Sequence, residues 1–266
     1  MNYRNVLLNI WETVAVYQVS VVLIVLLLSL QLGWKWAIAA FIIAELFHLK
    51  WWLDLKKRIL DGLPEKLQLS QSGSYEFPTL DIKEWNQYTQ MLETLGFEQV
   101  MDFKIESTLA ISRLFADTQN HMFAEIFKIF SPNEPRQIIC TFHSKFSDGW
   151  TFSSTTYKPT GFMYMQRHSR SLATYHPEIP ISNLRQIHLK RRWQIVDDLG
   201  LKILTDVSWE AYSTREDVGC LSRREIFRRK NIVFALIEAT LFELNPKYEW
   251  LGDYPKLAAQ RKARGL

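Results

Sequence analysis

The sequence predicts an α+β protein in which an N-terminal two-helix transmembrane hairpin precedes a cytoplasmic domain, an antiparallel β-meander flanked by helices. Three observations predict this fold. Two long apolar runs precede residue 60, short β-rich runs separated by turn signals fill 97–173, and helical apolar periodicity lies on either side of that block. The expected divisions are the hairpin over 1–60, a linker over 61–78, the cytoplasmic domain over 79–250 and a basic tail over 251–266.

Residues 14–32 run for 19 positions without a charge. That is about 28 Å of helix, close to the roughly 30 Å hydrocarbon core of a bilayer. A second apolar run, 34–53, follows Gly33, whose backbone freedom suits a tight reversal. The first run is longer than the roughly 7–15 residue core of a secretory signal and another follows at once, so Ala37-Ile38-Ala39 is read as helix rather than as a cleavage site. Arg4 precedes the first helix and Lys50, Lys56, Lys57 and Arg58 follow the second, whereas the turn holds only Lys35. The positive-inside rule then predicts an integral protein of a bacterial-type inner membrane with both termini cytoplasmic. Trp11, Trp34, Trp36, Trp51 and Trp52 stand at the expected interfaces, where amphipathic rings prefer to sit.

Within the second run, Glu45 and His48 are three residues apart and share a helix face, and the hairpin brings them to the level of Gln18. Intramembrane ionisable groups are costly and point to function by default. This trio is read either as a proton relay or partner contact, or as a polar bond that holds the hairpin or an oligomer together.

Residues 1–60 hold six of the 32 Lys and Arg and three of the 28 Asp and Glu, which leaves 26 cations against 25 anions beyond them. So balanced a domain, with no recognisable reading module, argues against a nucleic-acid partner. A helix is expected over 81–95, with Trp85, Tyr88, Met91, Leu92 and Leu95 on one face. Strands follow over 98–105, 109–115, 122–130, 137–145, 150–157 and 162–171, the last four joined by turns too short for anything but hairpins. Pairing through those turns sends Ile138, Cys140, Phe142, Phe152 and Met163 or Met165 to the core. Helices are expected over 182–199, 201–212 and 222–244, before a polar tail.

Two constellations are candidate sites. His143, Lys145, Tyr157, Tyr164, Gln166, His168 and Arg170 fall on the second sheet face, where cations, hydroxyls and rings suit an anionic or planar ligand, or an acidic partner surface. Lys190, Arg191 and Arg192, with Arg223, Arg224, Arg228, Arg229 and Lys230, could hold the domain against anionic lipid at about 1 kcal/mol per near-surface cation. No phosphate loop, dinucleotide fingerprint, nucleophile elbow or zincin helix occurs, and the six histidines and two cysteines lack metal-ligand spacing, so neither cofactor nor metal is expected. Cys140 reads as a core thiol and Cys220 as an ordinary one. The expected partners are membrane lipids and a protein partner or second copy. The expected role is that of an accessory, assembly or sensory protein acting by binding. A membrane-bound hydrolase or transferase using His143, His168 and Tyr164 is the alternative, and a transporter subunit built on Glu45 and His48 is a third.

Overall fold

The computed structural model describes residues 3–106, 109–131, 134–135 and 137–265. Along these, the helices α1 (Tyr3–Leu32) and α2 (Trp34–Asp61) lead into β1 (Leu69–Gln71), α3 (Ile82–Thr94), β2 (Glu98–Ile105), β3 (Ala110–Asp117) and β4 (Met122–Ser131). Next come β5 (Glu134–Pro135), β6 (Ile139–Lys145), β7 (Thr151–Thr155), α4 (Gly161–Met165) and β8 (Ser171–Tyr175). The chain closes with α5 (Ile181–Leu199), α6 (Trp209–Arg229), α7 (Ile232–Leu244), β9 (Glu249–Trp250) and α8 (Tyr254–Ala263). The side chain of Arg4 and part of the turn expected at 131–135 lie outside the described residues. Two units divide the chain, and the division does not follow sequence order. The first comprises Met1–Leu63, Thr160–Gln166 and Arg224–Pro246; the second comprises Pro64–Pro159, Arg167–Arg223 and Lys247–Leu266.

In the first unit, α1 and α2 are each long and apolar enough to cross a membrane. Leu23, Ile24, Leu26, Leu27, Ile42 and Ile43 are all more than half exposed, a surface that water would not favour. Gly33 turns the chain between them at φ 87°, a conformation that side-chain-bearing residues resist. At the other end of the hairpin, Leu7, Trp52 and Leu63 bury together with Phe227 and with Ile232, Leu236 and Ala239 of α7. The Trp11 indole donates to Thr240 Oγ1 at 2.8 Å. Cations satisfy the helix ends here: Lys56 donates to the carbonyls of Arg228 and Lys230 at 2.7 Å each, where α6 stops. Arg224 donates to the carbonyls of Leu60, in the last turn of α2, and Leu63, just past it, at 2.9 and 2.8 Å.

The strand expected over 162–171 is instead α4, followed by a loop into β8. Phe162, Tyr164 and Gln166 alternate with methionines as a strand would, but the Thr160 hydroxyl accepts from the Met163 N–H at 3.3 Å and starts a helix. Gly161 then lets α4 approach α7: a Cβ there would stand 2.5 Å from the Ala239 carbonyl oxygen. Gly161→Ala should therefore push α4 off α7 at a cost of about 1–3 kcal/mol, read as a lower thermal midpoint of the detergent-solubilised protein.

In the second unit, the strands line up in the order β1-β2-β3-β4-β6-β7-β8-β9, with β5 on β4. Neighbours are antiparallel except β7 and β8, which run parallel from Thr151↔Ser171 to Thr155↔Tyr175. A parallel pair needs a crossover of about a dozen residues or more, and 156–170 supply it. The expected meander thus ends at β7. Part of the expected linker is also structured, since β1 pairs with β2 and Phe77 joins the core. Residues 201–208, expected as helix, are non-helical and form a bridge from Ile203 to Phe146, while the expected tail contains α8, whose Tyr254 is buried.

Both sheet faces are covered. Ile111, Phe115, Ile126, Cys140 and Phe142 pack against Trp85 and Leu92 of α3 and Leu184 of α5. Asp81 caps α3 by accepting from the Glu84 N–H at 3.0 Å. On the opposite face, Phe103, Leu114 and Phe123 pack against Tyr212 and Trp209, the opening turn of α6.

Candidate functional site

The residues expected to share one polar sheet face do not share it. Tyr164 and Gln166 stand on α4 in the first unit, where the Tyr164 ring stacks on Phe242 at 4.5 Å. His168 and Arg170 lie in the loop before β8: His168 Nδ1 accepts from the Arg170 N–H at 3.1 Å, and the Arg170 guanidinium donates to the Asp148 carbonyl at 2.8 Å. Tyr157 follows β7, with its ring 6.5 Å from that of Phe127. Only His143 and Lys145, two positions apart on β6, remain together, and α6 covers them.

Beneath α6 they meet groups that sequence reasoning missed. The register of β4 and β6, Phe123↔His143 and Glu125↔Thr141, puts Glu125 on the same face, diagonal to His143. Glu125 Oε2 lies 3.7 Å from His143 Nε2, with the two side chains only 12% and 17% exposed. The Tyr212 hydroxyl donates to Glu125 Oε2 at 2.8 Å. Arg215 lies over the Tyr212 ring, 4.9 Å from its centroid, and donates through Nε to Glu216 Oε1 at 3.0 Å. Lys145 Nζ reaches the Ala211 carbonyl at 3.4 Å, and Arg223 donates to Cys220 Sγ at 3.2 Å.

The electrostatics follow from burial opposed by pairing. Burial pushes the Glu125 carboxyl up, and the hydrogen bonds from Tyr212 and Ser112 only partly offset it. Burial, helped by Arg215, pushes His143 well below its ordinary range and lowers Lys145. Glu216 is also desolvated, but Arg215 and Arg223 outweigh that and hold it below the usual carboxylate value. Burial and the Glu125 charge together raise Tyr212 well above the ordinary phenol value. The Tyr212–Glu125 hydrogen bond and the Lys145 contact to the Ala211 carbonyl tie α6 to the sheet; the Arg215–Glu216 pair lies within α6, and Glu125 and His143, 3.7 Å apart, are too distant for a direct hydrogen bond.

A second polar network sits in the opposite face. His188, fully buried on α5, stacks on Phe152 at 4.8 Å, and its ring nitrogens lie 2.9 Å from Ser144 Oγ and 3.0 Å from Ser154 Oγ. Ser154 in turn bonds Thr174 at 3.0 Å. Burial, with Arg192 and His143 adding to it, keeps His188 well below its ordinary range and therefore neutral. With both nitrogens occupied by hydroxyls inside the core, this Ser–His pairing is a strut between β6, β7 and α5.

The basic set also separates. Lys190 is exposed, and Arg191 donates to Glu249 at 2.7 Å. Arg192, expected at a membrane surface, is 1% exposed and donates to the Asn120 carbonyl at 2.5 Å, because its position on α5 turns it inward. Arg223 and Arg224 hold the thiol and carbonyls described above. Arg228 and Arg229 are exposed, both paired to Glu225, and Lys230 bonds Glu238 at 2.8 Å.

Between α1 and α2, the Gln18 amide donates to His48 Nδ1 at 2.8 Å, and Glu45 Oε2 stands 3.6 Å from the same nitrogen. The Tyr17 hydroxyl donates to the Ala44 carbonyl, its ring 4.8 Å from that of His48. Thr13, Val14, Tyr17, Phe47, His48 and Trp51 line a cavity of about 240 Å³ beside them. Gln18→Leu should loosen the hairpin by about 0.6–1.7 kcal/mol, measured as lower resistance to denaturant in detergent.

Among the described residues, no group of three or more His, Cys, Asp or Glu is arranged to hold a metal ion. Comparison with protein families, curated proteins and solved structures finds no match to this chain.

Proposed function

We propose that the protein is an integral component of a bacterial-type inner membrane, with both termini cytoplasmic, and that its α+β domain acts by binding a protein or lipid partner in an accessory, assembly or sensory role. The observation that carries this reading is the pairing of an apolar hairpin, exposed along most of its length, with a domain whose buried ionisable groups have partners within the sheet and within α6. The exposed hairpin wants lipid, and the neutralised interior leaves the outer surface to make contacts. Purification of the full chain from native membranes in mild detergent tests it. A protein partner at fixed stoichiometry or retained lipid is expected, and a chain that emerges alone and free of lipid contradicts the reading.

One observation favours a second reading, a membrane-bound hydrolase or transferase: Glu125 and His143 are a carboxyl–imidazole pair with both groups displaced from their ordinary ranges. On that reading, turnover of an amphipathic ester or phosphoester would be lost in both His143→Gln and Glu125→Gln. Turnover surviving in either variant would eliminate it.

A further inference from the structure

The helix α7 is apolar on two opposite faces. Ile232, Ala235, Leu236, Ala239 and Phe242 turn inward and are buried. Phe234, Ile237, Leu241 and Leu244, spaced three and four apart, form the other stripe and are 69%, 37%, 61% and 68% exposed. A helix apolar on both sides belongs in a core or in lipid, not at a water surface. Its polar groups are already engaged: Thr240 accepts from Trp11, Glu243 accepts from the Gly161 N–H at 2.6 Å, and Glu238 accepts from Lys230.

The position of α7 in its unit says what covers that stripe. It contacts both α1 and α2 and shares one apolar cluster with Leu7, Ile10, Trp11 and Val14 of α1 and Trp51, Trp52, Leu55 and Ile59 of α2. α1 has 30 residues, so about ten of them extend past the roughly 30 Å hydrocarbon core. Leu7, Ile10 and Trp11 are among them, and that end of the hairpin carries three tryptophans, Trp11, Trp51 and Trp52, which favour the membrane–water boundary. Lys57, Arg58, Arg228 and Arg229 are exposed in the same unit, a charge that matches anionic headgroups.

We propose that α7 is a third membrane element: its outer stripe lies in the interfacial layer of the leaflet that receives the two ends of the hairpin, covered by anionic phospholipid. This rests on the membrane-anchored reading above. Both native cysteines are buried, so a thiol-reactive fluorophore would go to an introduced Phe234→Cys, Leu241→Cys or, within the hairpin, Leu26→Cys. The full chain is reconstituted in vesicles of phosphatidylethanolamine and phosphatidylglycerol, three to one. Lipid brominated near the headgroup end of its chains should quench the labels at 234 and 241, while aqueous iodide should not. Iodide quenching at both sites, with Leu26→Cys still quenched by deeply brominated lipid, would overturn the α7 proposal and leave the anchor intact. Protection of 234 and 241 from both quenchers would mean that protein covers the stripe, and would overturn it equally. Failure of brominated lipid to quench Leu26→Cys would remove the anchor and the α7 proposal together.

Discussion

Replacing Arg215 with methionine is expected to destabilise the second unit by about 3 kcal/mol, the lower end of what breaking a buried ion pair costs. Arg215 lies between Glu216, which it bonds, and the Tyr212 ring, on which it rests; the arginine and glutamate side chains are 12% and 20% exposed. Without the guanidinium, the Glu216 carboxylate stays buried with Arg223 as its remaining cation and faces a second carboxyl, Glu125, that already raises its proton affinity. Repulsion and desolvation then act together on the first turns of α6. Removing both partners, in Arg215→Met with Glu216→Met, should recover most of the loss, because no uncompensated charge remains. Denaturant unfolding followed by tryptophan fluorescence reads both variants. A single mutant within about 0.5 kcal/mol of the parent would show that the cluster does not fix α6.

The second large effect is on pH. Folded His188 refuses a proton that the unfolded chain accepts below about pH 6.5. Stability should therefore be unaffected by this residue above that pH and fall as pH drops through it, by up to about 1.4 kcal/mol per pH unit, until the much lower folded value is reached. His143 contributes with the same sign. Glu125 acts oppositely, since its raised carboxyl lets the folded state keep a proton that the unfolded state has released above about pH 4.5. Comparing the parent with His188→Gln cancels both of these. Glutamine can still bond Ser144 and Ser154 but cannot titrate, so the acid slope should shrink by about one proton. Equal slopes would mean that His188 is protonated in the folded state.

Where one residue type dominated a stretch, the sequence was easy to read. The uncharged run inside α1 and the apolar face of α3 follow from local pattern, except that Met91, expected on that face, is 43% exposed; the bounds of β2 coincide with the alternation over 98–105. The misreadings came where a distant segment decides the outcome. His143 alternates as a solvent-facing residue would; what covers it is α6, which starts some sixty residues later, and its neighbour Glu125 is visible only once β4 and β6 are in register. Residues 201–208 carry helix-compatible side chains, yet Ile203 is captured by the Phe146 bridge. For α4, the period-two pattern competed with a capping threonine, and the cap prevailed. Arg192 resembled its neighbours in composition, and only the roll of α5 against the sheet buries it.

Topology mapping tests the central claim most directly. Fluorescent-protein and alkaline-phosphatase fusions at residue 266 and ahead of residue 1, with a phosphatase insertion at Gly33, should give fluorescence and no phosphatase activity at both ends, and an active phosphatase only at the turn. An active phosphatase at residue 266, or a chain that fractionates as soluble without detergent, would contradict a hairpin that leaves the α+β domain in the cytoplasm.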